Sequence, residues 1–323
     1  MGSFRYSEDV NHRTTSSPFK EHGFLRWLRE EYGAESVVGL GIGDDAAWSP
    51  TPKGKGALWA MDTVVAGVHV ASGEGLAARM GRKAVLVNLS DIAAMGGIPD
   101  GALLSIALPE TMTQEDAEDC ARAAVGVCRE YGVQLLGGDT VSTRGPMVVT
   151  IAINGHSDVD PVTRAGALRG DKILVTGALG GSLHDGRHGD FKPRLKEAAR
   201  LMELARPSAM TDISDGLARD LSNILIASCV GAVLNESAIP IHPSACALSQ
   251  ETEKRAVWHA LNDGEDFELL LTVGDSDLSR LKNEWNLKTP LTVIGTIEGD
   301  GLFLDDGESR APLPAGGFDH GVR

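Results

Sequence analysis

At 323 residues the chain is longer than one hydrophobic core usually serves, so two domains are expected. A composition of 42% hydrophobic and 23% charged residues is that of a water-soluble globular protein. The formal charge of −15 excludes a nucleic-acid backbone as the main partner, because that polyanion is bound through excess Lys and Arg, yet it leaves room for phosphates reached through bound cations.

In chain order, residues 1–20 form a polar tail that is expected to be disordered. The apolar spacing of Phe24, Leu25 and Leu28 predicts a helix over Glu21–Tyr32, and Val37–Gly43 reads as a strand entering a glycine-rich turn. Ala57–Asp62 and Val64–Val70 read as two strands, and Leu76–Met95 as a largely apolar helix buried on most sides. Gly101–Leu108 is a strand. Thr113, with Asp116 three residues on, caps a helix that Gly132 ends near Tyr131. Val133–Leu136 and Pro146–His156 complete the first set of strands.

Ser157-Asp-Val-Asp-Pro161 is polar and turn-rich, which divides the chain into domains at 21–157 and 158–323. Beyond it, strands are expected at Lys172–Thr176, Gly231–Leu234, Phe267–Val273 and Leu291–Ile297. Helices are expected at Lys192–Ala205, Asp215–Ser228 and Asp277–Trp285. Strands and helices alternate in both halves without a clean βαβ repeat, which favours a two-domain α+β fold. Cys120 and Cys128 fall two turns apart on one helix and read as buried thiols in a reducing compartment. With no leader pattern and no membrane-length apolar run, the expected location is the cytoplasm.

The chemistry lies in where certain carboxylates sit. Asp44 and Asp45 follow Gly39-Leu-Gly-Ile-Gly43; Asp62 ends an apolar strand; Asp91 lies inside the apolar helix; Asp139 follows Gly137-Gly138; Asp212 and Asp215 flank Ile213-Ser214. Helix capping accounts for Asp215 alone, and turn chemistry for Asp44 or Asp139 alone. Seven such residues in apolar or glycine-rich settings point to a shared cleft holding Mg²⁺, which takes hard oxygen ligands and substrate phosphates. Better-known nucleotide loops do not fit. Gly39–Gly43 runs straight into two aspartates, and Thr176-Gly-Ala-Leu-Gly-Gly-Ser182 lacks the lysine of a P-loop. His184 and His188, in an Asp-Gly-Arg and Gly-Asp setting, read as solvated loop histidines rather than zinc ligands.

Several runs resemble the successive motifs of the thiamine-monophosphate kinase family. They are Gly41-Ile-Gly-Asp-Asp-Ala-Ala47, Asp62-Thr-Val-Val-Ala-Gly-Val-His69, Lys83-Ala-Val-Leu-Val-Asn-Leu-Ser-Asp-Ile-Ala-Ala-Met-Gly-Gly97, Gly137-Gly-Asp-Thr140, Asp212-Ile-Ser-Asp-Gly-Leu217 and Gly264-Glu-Asp-Phe-Glu-Leu269. The resemblance runs from about Gly23 to His320 and implies an ATP-dependent kinase making thiamine diphosphate from thiamine monophosphate. It implies an N-terminal α/β domain that dimerises by pairing sheets into a barrel, and a C-terminal α+β domain that completes a cleft for ATP and several Mg²⁺.

Carried over by position, Asp45, Asp62, Asp91, Asp139, Asp212 and Asp215 would hold metal. Gly138, Arg164 and Ser214 would meet ATP, and His69, Glu265 and Phe318 would lie near thiamine monophosphate, with no covalent nucleophile. The chain departs from the family twice. Ala60 and Met61 stand where hydroxyl residues are common, and the segment 180–193 is shorter than usual, which reduces a cover over the nucleotide. Two other readings share these motifs: a sister ATP-dependent enzyme of the same superfamily, and a catalytically weak nucleotide-binding paralogue.

Overall fold

The computed structural model describes residues 44–50 and 56–318. The expected tail, the helix Glu21–Tyr32 and the strand Val37–Gly43 lie outside the described residues. Two sheets organise the rest into a two-domain α+β fold.

The first sheet is built from β1 (Ala47–Pro50), β2 (Gly56–Val65), β3 (Ile98–Pro109), β4 (Gln134–Thr143) and β5 (Val148–Ser157), in the order β1-β2-β5-β3-β4. All its pairings are antiparallel except β3 with β4, which needs a crossover element between them. That element is α2 (Gln114–Glu130), which follows α1 (Leu76–Ala94) along the chain. Alternation along the strands turns Leu58, Ala60, Val64, Leu104, Ile106, Val149, Ile151 and Ile153 inward against both helices. It turns Trp59, Met61, Leu103 and Val141 outward, where all four are exposed.

The two expected strands Ala57–Asp62 and Val64–Val70 are one strand, β2, followed by a tight turn. Gly67 takes φ 80° there, and an isolated bridge joins Ala66 to Val70. The apolar run conceals this break because Val68 and Val70 continue the hydrophobic pattern through the turn. The strand expected at Val133–Leu136 extends to Thr143, since the glycines at 137 and 138 sit within the ladder rather than ending it. Helix α2 matches its expected ends, with a capping box between Thr113 and Asp116.

Helix α1 is buried nearly all round, including the polar Lys83, Asn88 and Ser90. Gly81 is where it meets α2: a Cβ there would lie 2.2 Å from the backbone oxygen of Cys120. Backbone cannot give way as a flexible side chain can. Gly81→Ala is therefore expected to cost about 1–3 kcal/mol by overpacking, seen as a lower midpoint in thermal unfolding. An unchanged midpoint would show that the helices separate freely.

The second sheet has β6 (Lys172–Thr176), β7 (Ala209–Asp212), β8 (Ala232–Asn235), β9 (Leu269–Val273), β10 (Leu291–Ile297), β11 (Leu302–Asp305) and β12 (Arg310–Pro312), ordered β12-β11-β8-β10-β6-β9-β7. One face packs on α4 (Leu217–Ser228), with Ile173, Val175, Leu221 and Ile224 in that core. The other face packs on α3 (Leu195–Leu204) and α7 (Asp275–Glu284), through Leu174, Leu201, Leu271 and Leu281. The short helices α5 (Pro243–Glu251) and α6 (Ala256–Asn262), with β7, β11 and β12, were not expected from periodicity. Each is brief or lies at an edge, where the pattern is too short to declare itself.

Two boundaries move for a physical reason. The helix expected from Asp215 starts at Leu217 after Gly216, with no side-chain cap, so Asp215 is not its N-cap. The strand expected from Phe267 starts at Leu269, because Phe267 takes φ 51° and cannot extend the ladder.

The two halves interlock. Ala93 and Ala94 of α1 belong to the core beneath the second sheet. Phe191 and Phe267, from the second half, pack into the core of the first, with ring centroids 3.9 Å apart and stacked at 10°.

Candidate active site

Three carboxylates from distant parts of the chain meet between the sheets. Oxygens of Asp45, Asp91 and Asp212 all lie within 4.8 Å of one another, and this is the single such acidic group among the described residues. Asp45 precedes β1, Asp91 is supplied by the last turns of α1, and Asp212 ends β7. Asp62 on β2 belongs to the same field, since its charge acts on both Asp91 and Asp212.

The electrostatics show how unwelcome these charges are to one another. Burial first, then the charges of Asp62, Asp212 and Asp45, hold the Asp91 carboxyl well above the usual carboxylate range. Burial and then Asp45 push Asp212 up to about 7, against the opposing effects of the Ser90 hydroxyl and Arg164. Ser90 Oγ donates to Asp212 Oδ2 at 2.5 Å and so ties α1 to β7. Asp44 is also raised to about 7, by burial and then by Asp45. Both its oxygens accept the backbone N–H of Arg164 at 3.2 Å, so the Asp44 side chain fastens the neighbouring strand and the loop to each other.

Arg164 is the cation facing this group. Its Nη2 donates to Asp45 Oδ1 at 2.5 Å and its Nε to Thr211 Oγ1 at 3.3 Å. Burial works against the charged guanidinium, but Asp45, Asp44 and Asp220 together outweigh it and hold Arg164 protonated. Asp45 Oδ2 is buried and, among the described residues, has no hydrogen-bond partner. An orphaned carboxylate oxygen beside two further carboxylates is what a hard divalent cation would satisfy, so the donor set fits Mg²⁺.

A pH dependence follows. Asp44 and Asp212, raised from about 4 in an unfolded chain to about 7, bind protons that the unfolded chain has already lost. Their contribution to stability is present at low pH and disappears as pH rises through about 7. In the presence of a chelator, the thermal midpoint is expected to fall from about pH 5 to about pH 8. Saturating Mg²⁺ should flatten the slope, because the cation takes over from the protons. A chelated protein with a flat profile would contradict the assignment.

A second group lies beside the first. Residues 212–216 are the hub: Glu265 N–H donates to Ser214 O at 2.7 Å, Phe267 N–H to Ile213 O at 2.8 Å, and Phe318 N–H to Asp215 O at 3.0 Å. Ser214, Asp215, Glu265 and Phe318 are thus brought together by backbone bonds. His69 joins them through a residue that sequence reasoning overlooked. Lys83 is 1% exposed, and its Nζ donates to His69 O at 2.9 Å and to Glu265 Oε2 at 2.6 Å. The signal was a lysine leading directly into the apolar run Ala84-Val-Leu-Val87 of a helix buried on most sides, where a buried ammonium demands a partner. His69 itself closes the turn after β2, its Nδ1 accepting the Val65 N–H at 3.0 Å.

Asp220 was also overlooked. Its Oδ2 accepts the N–H groups of Asp215 and Gly216 at 3.0 and 3.1 Å, fixing the hub loop from behind. Burial and then Asp215 raise its carboxyl well above the usual range.

Gly138 and Asp139 are set apart from both groups. The register runs Asp62–Ile151–Leu104–Gly138 across the sheet, three strand spacings. At about 4.8 Å each, these place β4 roughly 14 Å from β2. Gly138 and Asp139 instead line a cavity of about 560 Å³ with Leu104, Gln114 and Ala121, between β4 and α2.

The glycine run 177–181 is no phosphate cradle. The Gly180 N–H donates to Asp266 and the Gly181 N–H to Asp263 Oδ2, so those amides already serve carboxylates. His188 Nδ1 sits 3.1 Å from Ser182 O and His184 lies beside Glu251, and neither enters an acidic group. Cys120 and Cys128 are buried as expected, and burial pushes the Cys120 thiol up to about 12.

The AIR synthase related protein family matches twice, its N-terminal domain over residues 43–156 and its C-terminal domain over residues 169–306. The chain is 36% identical to the thiamine-monophosphate kinase of Rhodopirellula baltica, covering 86% of this chain and 90% of that one. It is 35% identical to the thiamine-monophosphate kinase of Bacillus subtilis, covering 88% and 94%. Among solved structures it resembles AaThiL complexed with AMPPCP and TMP, with a TM-score of 0.80 and 27% identity over 93% of this chain and 97% of that one.

Proposed function

Because the chain belongs to the thiamine-monophosphate kinase family, within the AIR synthase related proteins, we propose that it converts thiamine monophosphate and ATP to thiamine diphosphate and ADP. The observation that carries the reading is the convergence of Asp45, Asp91 and Asp212 within 4.8 Å, next to a second group containing His69 and Glu265.

Asp45, Asp91 and Asp212, with Asp62 beside them, would hold Mg²⁺, and Asp215 would add a ligand from the hub loop. Magnesium there supplies positive charge against the phosphate oxygens of donor and acceptor. Arg164 can fork onto a phosphate once a cation relieves it of Asp45, and the Ser214 hydroxyl lies on the same hub. Glu265 accepts a hydrogen bond from the aminopyrimidine, and Phe318 offers a ring face to the thiazolium. The acceptor is a phosphate oxygen already ionised near neutral pH, so transfer is in line and direct, without a general base or a covalent intermediate. What these residues contribute is positioning and charge.

Gly138 and Asp139 fit this reading when two copies of the chain combine. β1 runs beside only Gly56–Trp59 of β2, which leaves residues 60–65 as an edge, and β4 forms the opposite edge. The outward face between them carries Trp59, Met61, Leu103 and Val141. A homodimer that closes the two sheets into a barrel would cover that face and bring β4 of one copy beside β2 of the other. Asp139 and the adjoining cavity would then serve ATP and metal at the site of the second copy. Ala60 is buried and Met61 points to the outer face, so only their carbonyls could reach a cation, and a smaller metal complement is expected. The domain boundary falls at 157/158, after β5, and the enzyme works in the cytoplasm.

Product analysis tests the reading. Purified chain with ATP, Mg²⁺ and thiamine monophosphate should yield thiamine diphosphate in step with ADP, and a chelator should abolish both. ADP without thiamine diphosphate would point to a sister reaction of the superfamily.

A further inference from the structure

Glu265 sits on a loop with two residues in strained backbone conformations. Both Glu265 and Phe267 take left-handed backbone conformations, φ 54° and 51°, unusual for residues with side chains. Ser182 and Arg187 hold the flanking Gly264 and Asp266, and three further ties act on the two strained residues: the Glu265 amide on Ser214, the Phe267 amide on Ile213, and the Lys83 ammonium on the Glu265 carboxylate. The last of these crosses from the first half of the chain to the second. Lys83 rises from the buried face of α1, and its remaining contact, the His69 carbonyl, belongs to the turn after β2. One ammonium therefore fixes two of the residues that face the acceptor, one from each half.

We infer that Lys83 is a positioning residue that turns Glu265 as a hydrogen-bond acceptor toward the exocyclic amino group of the substrate's pyrimidine, and so sets the enzyme's preference for an amino over an oxo ring. This rests on the proposed function and extends it from the substrate class to the origin of its recognition. A lysine ammonium donates and does not accept, so it holds Glu265 Oε2 as an acceptor and fixes how the carboxylate is turned. A carboxylate accepts from an amino N–H and repels a ring carbonyl at the same place. A site built to hydrogen-bond a substrate N–H rejects the analogue lacking it far more strongly than an apolar pocket would. The Glu265 side chain is 20% exposed, enough for substrate to reach, whereas Lys83 at 1% is not. Lys83 must act through Glu265.

The test compares kcat/KM for thiamine monophosphate and its 4-oxo analogue, using the full chain with ATP and Mg²⁺. The wild type is expected to prefer the amino substrate by about a hundred-fold or more. Lys83→Met should narrow that preference to about ten-fold or less, while KM for ATP stays near the wild-type value. Equal losses for both substrates, with the ratio intact, would overturn the inference and assign Lys83 to packing alone.

If Lys83→Met does not fold, Glu265→Gln and the double variant Lys83→Met/Glu265→Gln decide the matter. The double variant removes both charges together and leaves no buried ion unpaired. Its ratio should equal that of Glu265→Gln, because Lys83 has nothing left to act through. A further change in the ratio would overturn the inference. A wild type that converts neither substrate would bring down the functional reading itself, a result distinct from an active wild type whose ratio Lys83 does not affect.

Discussion

Asp91→Asn is expected to lower turnover by about a thousand-fold or more while leaving the chain folded. The size follows from the several kcal/mol that a bound metal contributes to stabilising charge in phosphoryl transfer. Asp91 is ringed by Asp62, Asp212 and Asp45. A neutral amide there removes repulsion from the metal-free protein as well as a ligand from the metal-bound one. Under chelation, then, the variant should unfold at a higher temperature than the wild type. Added Mg²⁺ should raise its midpoint less. Activity and metal-free stability moving in opposite directions is the signature of a residue kept for chemistry rather than for the fold. Full turnover in the variant would remove Asp91 from the site.

The second large effect concerns Arg164. Its charge opposes the upward shifts of Asp44, Asp91, Asp212 and Asp220 alike, so one guanidinium acts on the whole acidic group when no metal is present. Removing one partner of a buried ion pair costs about 3–5 kcal/mol, because the other charge is left uncompensated. Arg164→Met is expected to lose stability of this order in chelator and to recover most of it in saturating Mg²⁺. The variant should also need more ATP to reach half-maximal rate, since the forked phosphate contact is gone. Thermal melts with and without Mg²⁺ separate the two roles. An equal loss of stability in both conditions would mean that Arg164 is merely a structural tie.

Much of this was legible in the sequence where spacing and chemistry agreed. The α1 pattern is apolar on every side, and a helix of that kind has to be buried. Thr113 and Asp116 spell out a capping box, and α2 begins where they place it. The odd placement of Asp91 inside an apolar helix signalled the acidic group before any geometry was known. The break after Val65 stayed hidden because a turn can be written in valines when one glycine takes the strained corner. The start of β9 was misjudged because a phenylalanine at φ 51° gives no warning in composition. Lys83 was visible but unread: its importance comes from Glu265, 182 residues away, and no local pattern reports a pair that distant.

The interlocking of the two cores bears on how such a protein can change over evolutionary time. Where α1 ends in the second core and Phe191 and Phe267 end in the first, neither half is a transferable module. A recombination event at the boundary would join an α1 to alanine-sized hollows shaped for another partner, and would leave two stacked rings without a socket. Successful descendants should therefore diverge at the rims and loops while inheriting both halves as one piece. Either half expressed alone should be insoluble, and the two expressed together from separate genes should recover a folded pair.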